Sequence, residues 1–369
     1  MAQSELGFLL EPIVDDVRRA ATLPGHAYRD GGFHEAVRER VLARAWHAFP
    51  GSPPERDGAL VPWTLLDGCL DEPLLLAHDG AALRCLSNVC THRGSLLVAE
   101  PCQARAIRCP YHGRRFSLDG RFVSAPGFDG AEGFPSQKDD LPALAHALWH
   151  GLAFASLAPA VPFEEWLGPL PERLRFLPLE RACLERPGIR RYELAANWML
   201  YCDNYLEGLH VPFVHRGLAR ALDLSRYNIE LFTHGALQLG EASDGEPCFD
   251  LPVGHADYGR RIAAYYYWLF PCTMLNVYPW GMSINVVEPR GLAKTTVHYL
   301  SLVFDEALRG RGAGGDLHRV ELEDQTVVHA VQRGVRARSY QHGRYAPVAE
   351  AAVHHFHRML VNSVLRAPT

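Results

Sequence analysis

The chain has 369 residues, 48% of them hydrophobic and 21% charged, with a formal net charge of −5. That length allows two domains, and the composition is that of an ordinary globular protein. The charge gives no footprint for nucleic acid, and no apolar run approaches the ~18–20 residues of a membrane span. Nine cysteines are present. Only Cys90 and Cys109 stand in a motif. Cys69, Cys85, Cys102, Cys183, Cys202, Cys248 and Cys272 lack framework spacing and read as thiols of a reducing compartment, with the cytoplasm as the expected location.

Residues 1–20 lack the basic start, apolar core and small-residue cleavage site of a secretory signal. They read as a short amphipathic helix within a helical segment over 1–42. From 43 to 157 the pattern is β: short apolar runs at Pro73–Ala77, Ala82–Leu86 and Ala153–Leu157, cut by Gly, Asp and Pro. Within it lie Cys90-Thr91-His92 and Cys109-Pro110-Tyr111-His112, with sixteen residues between His92 and Cys109. Each short motif joins a thiolate to an imidazole. A Rieske-type [2Fe–2S] cluster needs this set, two Cys on one iron and two His on the other. Structural zinc also accepts two Cys and two His, but zinc fingers pair like with like. Gly94, Pro110 and Gly113 suit backbone turning tightly around a cluster.

A Pro-rich stretch at 158–178 reads as a connector, and from about 188 strands and helices mix. Arg190–Ala195, Tyr265–Phe270 and Ser283–Val287 read as strands; Leu317–Arg338 and Val348–Val364 have helical periodicity. His210 and His215 lie five residues apart with carboxylates nearby, a pattern that suits a two-His, one-carboxylate iron site. A chain with 19 His also produces such pairs by chance. Pro212 between them predicts a broken or kinked helix. The glycines of 309–315 (GRGAGGD) lack a phosphate loop's Gly-Lys-Ser/Thr ending and read as a flexible turn before a helix. Taken alone, the acidic stretch 321–324 is a solvated face near a helix N-terminus.

The stretches NVCTHRGSLL and IRCPYHGRRFSLDGRF resemble the Rieske domain of ring-hydroxylating and related non-haem iron oxygenases. They are less similar to respiratory Rieske proteins, whose two further Cys form a disulfide between the loops; Ser95 and Tyr111 stand at those positions here. Most relatives carry Trp after the second His-Gly, where this chain has Arg114-Arg115-Phe116. That departure points to an altered surface where an electron donor docks. NW-x(4)-DNYLEGLH-x(4)-H, from Asn197 to His215, is likewise similar to the mononuclear-iron segment of these oxygenases.

The resemblance implies an α+β protein. An all-β Rieske domain (43–157) precedes an α+β helix-grip (START-like) catalytic domain with a curved antiparallel sheet (158–369), and the 1–42 segment packs on the catalytic domain. It implies Cys90, His92, Cys109 and His112 as cluster ligands and His210 and His215 as iron ligands. Asp324 is carried over as the third iron ligand, with Glu323 the alternative. Glu207 takes the place of the carboxylate that bridges the two centres, facing His210 and a neighbouring subunit's His112, which implies a homo-oligomer, usually a trimer. Asp203 and Asn204 are expected to support the iron ligands, and His329 to be peripheral.

The implied activity is that of a terminal oxygenase. It uses O2 and electrons that a separate flavin and iron–sulfur reductase draws from NAD(P)H, and it hydroxylates or oxidatively dealkylates a small organic substrate. The phrase NYLEGLHVPFVH, with Glu as the bridging acid, resembles the choline, betaine and carnitine monooxygenases more than the naphthalene or biphenyl group, which points to a quaternary ammonium compound; the alternative is another small amine, an aromatic or a natural product. The cluster Tyr265, Tyr266, Tyr267, Trp268, Tyr278 and Trp280 can enclose such a cation. In an alternating strand, however, half of 265–268 must point elsewhere. A reading of another class is an iron–sulfur electron-transfer protein with a degenerate second site.

Overall fold

The structure is a computed structural model describing residues 13–185 and 189–365. It divides into two compact units: one spans 46–160, and the other joins the segments on either side of it.

The 46–160 unit is built from short antiparallel strands in three small sheets. One places Leu152–Ser156 between His47–Ala48 and Ala145–Trp149; a second runs Leu83–Ser87, Glu72–His78, Ala59–Leu65, Cys102–Gln103; a third runs Ile107–Arg108, Arg115–Phe116, Phe122–Ser124. Alternation sends Leu60, Leu75, Ala77, Leu86, Ile107 and Phe116 into one core, which also contains Cys90 and Cys109. The two thiols therefore sit at the end of a hydrophobic core.

The other unit centres on an eight-stranded antiparallel sheet. From Asn228–Phe232 it proceeds through Gly235–Glu241, Ile262–Leu269, Thr273–Tyr278 and Gly281–Pro289 to Thr295–Val303, whose far edge pairs both Cys183–Leu184 and Arg190–Leu194. Among the described residues the sheet does not close into a barrel. Helices Trp198–Tyr205 and Leu317–Gly334 pack on each other, and Ala351–Leu365 packs on the strands at 228–241.

Residues 1–12 of the expected N-terminal helix lie outside the described residues, and 13–20 form turns instead. The helix of this region is Gly31–Arg40, started by Asp30, whose carboxylate accepts from Phe33 N at 2.6 Å; it buries Phe33 and Val37. The Pro-rich stretch is more than a connector. Its short helices Phe163–Leu167 and Leu170–Arg173 bury Trp166 and Leu170, and Arg173 bonds both Asp257 and Glu230. The helix expected over 317–338 stops at Gly334. None of the described helices is long and apolar enough to cross a membrane.

Candidate metal centres and the cavity beside them

The two Cys/His loops are copies of one turn. In the first, Cys90 N donates to Ser95 O (2.8 Å) and Gly94 N to Cys90 O (3.0 Å); in the second, Cys109 N donates to Arg114 O (2.8 Å) and Gly113 N to Cys109 O (3.1 Å). The turns need left-handed backbone at matching positions, met by Gly94 at φ 69° and Gly113 at φ 74°. Both thiols are 2% exposed, while His92 is half-buried and His112 exposed, with ring centroids 4.9 Å apart. Burial pushes the Cys109 thiol up, but N–H groups of His112 and Tyr111 aimed at its sulfur, with hydrogen bonds from Cys90 and Ser95, outweigh this and hold it below its ordinary value, while burial pushes the neighbouring Cys90 thiol up. Two inward sulfurs, two outward imidazoles and amides converging on sulfur fit a [2Fe–2S] cluster. The surface expectation for Arg114 is corrected: its side chain is buried, and Arg115 is the exposed neighbour.

The second site begins at helix Trp198–Tyr205, started by Asn197, whose side chain accepts from Met199 N at 2.9 Å. Pro212 does not kink a continuous helix. It lies in the first turn of a separate four-residue helix, Val211–Val214, where its missing N–H is unneeded, and the chain breaks again at His215. This double break turns both imidazoles toward helix Leu317–Gly334.

His215 Nε2 lies 2.9 Å and His210 Nε2 3.6 Å from the same Asp324 oxygen, and the ligating atoms of the three residues all fall within 4.8 Å of one another. The opposite ring nitrogens are held by other carboxylates: His210 Nδ1 by Glu207 at 2.5 Å and His215 Nδ1 by Glu323 at 2.9 Å. Glu323 in turn accepts from Arg319 at 3.0 Å. Such outer contacts fix tautomer and orientation and free both Nε2 atoms for a metal. The geometry favours Asp324 over Glu323 as third donor. Burial pushes the His215 imidazole down, but Asp324 and Glu323 outweigh it and raise its pKa, so positive charge is favoured there. Three donors with one side open fit a two-His, one-carboxylate iron site.

Asn204 donates to Asp324 at 2.6 Å, as a supporting residue would. Asp203 is corrected: it accepts from Tyr28 (2.7 Å) and bonds His357 (2.8 Å) instead, because it lies one residue around the helix from Asn204. His329 accepts from Ala195 N at 3.2 Å, away from the three donors.

A cavity opens beside His210, His215 and Asp324. Five tyrosines line it: Tyr201, Tyr205, Tyr227, Tyr266 and Tyr299, with the amides Gln238, Asn276 and Asn285 and an apolar wall that includes Leu218 and Leu222. The aromatic set expected from sequence is therefore largely replaced. Only Tyr266 of that group reaches the cavity. Tyr265 and Tyr267 point to the other sheet face by alternation, with Tyr265 bonding Asp257 at 3.0 Å. Trp268 shares the face of Tyr266 but packs on Phe356 and bonds Pro271 O at 3.1 Å. Tyr278 and Trp280 stack on each other at 5.5 Å, one layer behind Tyr266. Tyr201 and Tyr205 carried a sequence signal, being one helical turn apart just before the His pair; Tyr227, Tyr299 and the amides carried none without the sheet register.

Behind the cavity Glu321 is fully buried and accepts hydrogen bonds from Tyr201 and Tyr299, both at 2.6 Å, and from Gln325 at 2.8 Å. Burial pushes its carboxyl up to about 7, against the lowering effect of those bonds.

The fold and both donor sets define an oxygenase subunit with two iron centres, and comparison with known proteins agrees. Residues 67–135 match the Rieske [2Fe-2S] domain, and residues 183–365 match the ring hydroxylating alpha subunit (catalytic domain). The chain is 31% identical to choline monooxygenase, chloroplastic, of Arabidopsis thaliana, over 93% of this chain and 83% of the relative. It is 29% identical to the carnitine monooxygenase oxygenase subunit of Escherichia coli (strain K12), over 93% and 94%. A solved quaternary ammonium Rieske monooxygenase, CntA, superimposes with a TM-score of 0.78 at 25% identity, over 97% of this chain and 98% of that one. Naphthalene 1,2-dioxygenase from Rhodococcus sp. shares the fold at a TM-score of 0.75 and 21% identity. The chain belongs to the Rieske non-haem iron oxygenases, and its cofactors are a Rieske [2Fe–2S] cluster and mononuclear iron.

Proposed function

We propose that this chain is the oxygenase subunit of a quaternary ammonium monooxygenase, with Cys90, His92, Cys109 and His112 holding the cluster and His210, His215 and Asp324 the iron. The observation that carries the substrate class is the wall of five tyrosines facing the three iron donors. Burial keeps Tyr201, Tyr205, Tyr227 and Tyr299 neutral, so their rings offer π faces to a cation. Glu321 fixes Tyr201 and Tyr299 in place by their hydroxyls. The relatives named for choline and carnitine oxidation support the same class.

When bound, the iron supplies O2 activation, with electrons entering by way of the cluster. The chain's residues do the rest. Glu207 and Glu323 orient His210 and His215; the tyrosines and leucines bind the substrate and displace water from its reacting carbon. Glu207 also lines a second cleft with Tyr28, Glu350 and His357, which shares Asn204, Glu207 and His210 with the substrate cavity. In the proposed homotrimer, His112 of a second copy reaches Glu207 through that cleft, and a separate NAD(P)H-dependent reductase serves the assembly in the cytoplasm.

Turnover and product analysis with purified reductase tests the reading. Choline, carnitine and γ-butyrobetaine should include a substrate, while naphthalene and indole should not be oxidised. Oxidation of only the neutral arenes would sink the quaternary ammonium assignment.

A further inference from the structure

Arg114 is 2% exposed, and its guanidinium sits among four phenylalanines, Phe116, Phe122, Phe128 and Phe134, 4.9 to 5.9 Å from their ring centroids. Its carboxylate partner is Asp139, which is more exposed than the arginine (19% against 3% for the side chains). Arg114 Nε is buried without a hydrogen-bond partner among the described residues. Burying a guanidinium this way is costly, and structural needs alone would be met by an apolar side chain of similar volume. The aromatic faces offset part of that cost while leaving the charge in place.

The position of that charge is informative. Arg114 O accepts the Cys109 amide that closes the second ligand loop. Phe128 neighbours both the guanidinium (5.7 Å) and the His92 ring, which it meets in a T-shaped contact at 5.2 Å. On the first loop, Thr91 Oγ donates to Asp139 O at 2.8 Å. Arg114 and Asp139 thus connect both loops, with the positive end the more deeply buried of the pair and the negative end the more exposed.

We infer that Arg114 sets the reduction potential of the Rieske cluster, acting as a fixed buried cation that stabilises the reduced form. Reduction adds one electron from the reductase to the cluster; no bond at Arg114 forms or breaks. The added negative charge is attracted by a cation in low-dielectric surroundings, whereas the more exposed Asp139 opposes it less. Arg114 is a positioning residue, and the inference rests on the cluster assignment above.

The test is a redox titration of the full-length protein, followed by the electron paramagnetic resonance signal of the reduced cluster. Arg114→Gln should shift the reduction equilibrium about tenfold toward the oxidised form, or about 59 mV for a one-electron couple. Arg114→Lys should stay within about threefold of the parent, and Asp139→Asn should shift about threefold the other way. An Arg114→Gln protein that keeps its cluster and the parent potential overturns the inference. If that variant does not retain the cluster, Asp139→Asn decides: a raised potential supports the inference, and an unchanged or lowered one overturns it. Absence of a Rieske signal from the unsubstituted protein would instead refute the cluster assignment on which the inference rests.

Discussion

The two donor sets are assembled in opposite ways. In the 46–160 unit, all four come from two short loops of the same hydrogen-bond pattern, each closed by a glycine at positive φ. In the catalytic unit, two come from a twice-broken helix, and the third from a helix more than a hundred residues later. The first is local geometry that sequence specifies within four residues; the second exists only once the sheet and its covering helices have formed. The distant site should therefore depend far more on single supporting contacts.

The strongest way to break this contrast is Asp324→Ala. It should abolish mononuclear iron binding and lower turnover more than about 100-fold, since even outer contacts are worth 10–100-fold, while leaving the reduced-cluster signal intact. Loss of both centres would show that the sites are not independent. Glu207→Gln should keep both metals by iron analysis yet lose about 10–100-fold in steady turnover; unchanged turnover would remove the bridging role. Glu323→Gln sharpens the ligand assignment. It should weaken iron affinity about tenfold, and a loss as complete as that of Asp324→Ala would make Glu323 the ligand instead.

Smaller effects concern stability. Because the folded-state pKa of Glu321 is raised to about 7 from 4.5, the folded chain holds a proton that the unfolded chain releases. Its contribution is fully present below about pH 4.5 and falls away as pH rises through about 7. The groups facing it are Tyr201, Tyr299, Gln325 and Asp324. Thermal melts should show a flatter decline between pH 5 and 8 for Glu321→Gln than for the parent; parallel curves would contradict the raised pKa. Thr91→Val removes one tie between a ligand loop and Asp139, and should cost about 1 kcal/mol of stability in the 46–160 unit without changing iron content at the other site.

How much could be read in advance follows the same division. Cys90, His92, Cys109 and His112 were legible because cluster chemistry demands those side chains at short spacing, and their loops need the glycines that follow. His210 and His215 gained meaning from the motif around them. Asp324 was legible only by resemblance, since helical register decides which of two adjacent carboxylates lies against the Nε2 atoms of both imidazoles, and only packing against helix 198–205 fixes it. The aromatic wall was misplaced for a related reason. Tyr265, Tyr267 and Trp268 were conspicuous as a run, yet strand alternation and a covering helix take them away from the cavity, while Tyr227 and Tyr299 arrive from separate strands and loops. Asp203 misled because adjacent helix positions point about 100° apart.

The most direct test of the central claim, two iron centres with Asp324 completing the second, is metal analysis joined to electron paramagnetic resonance on anaerobically purified, dithionite-reduced protein. The parent chain should show a rhombic Rieske signal with about three irons per two sulfides, and Asp324→Ala the same signal with about two. Three irons retained in Asp324→Ala, or zinc in place of the Rieske signal in the parent, would contradict it.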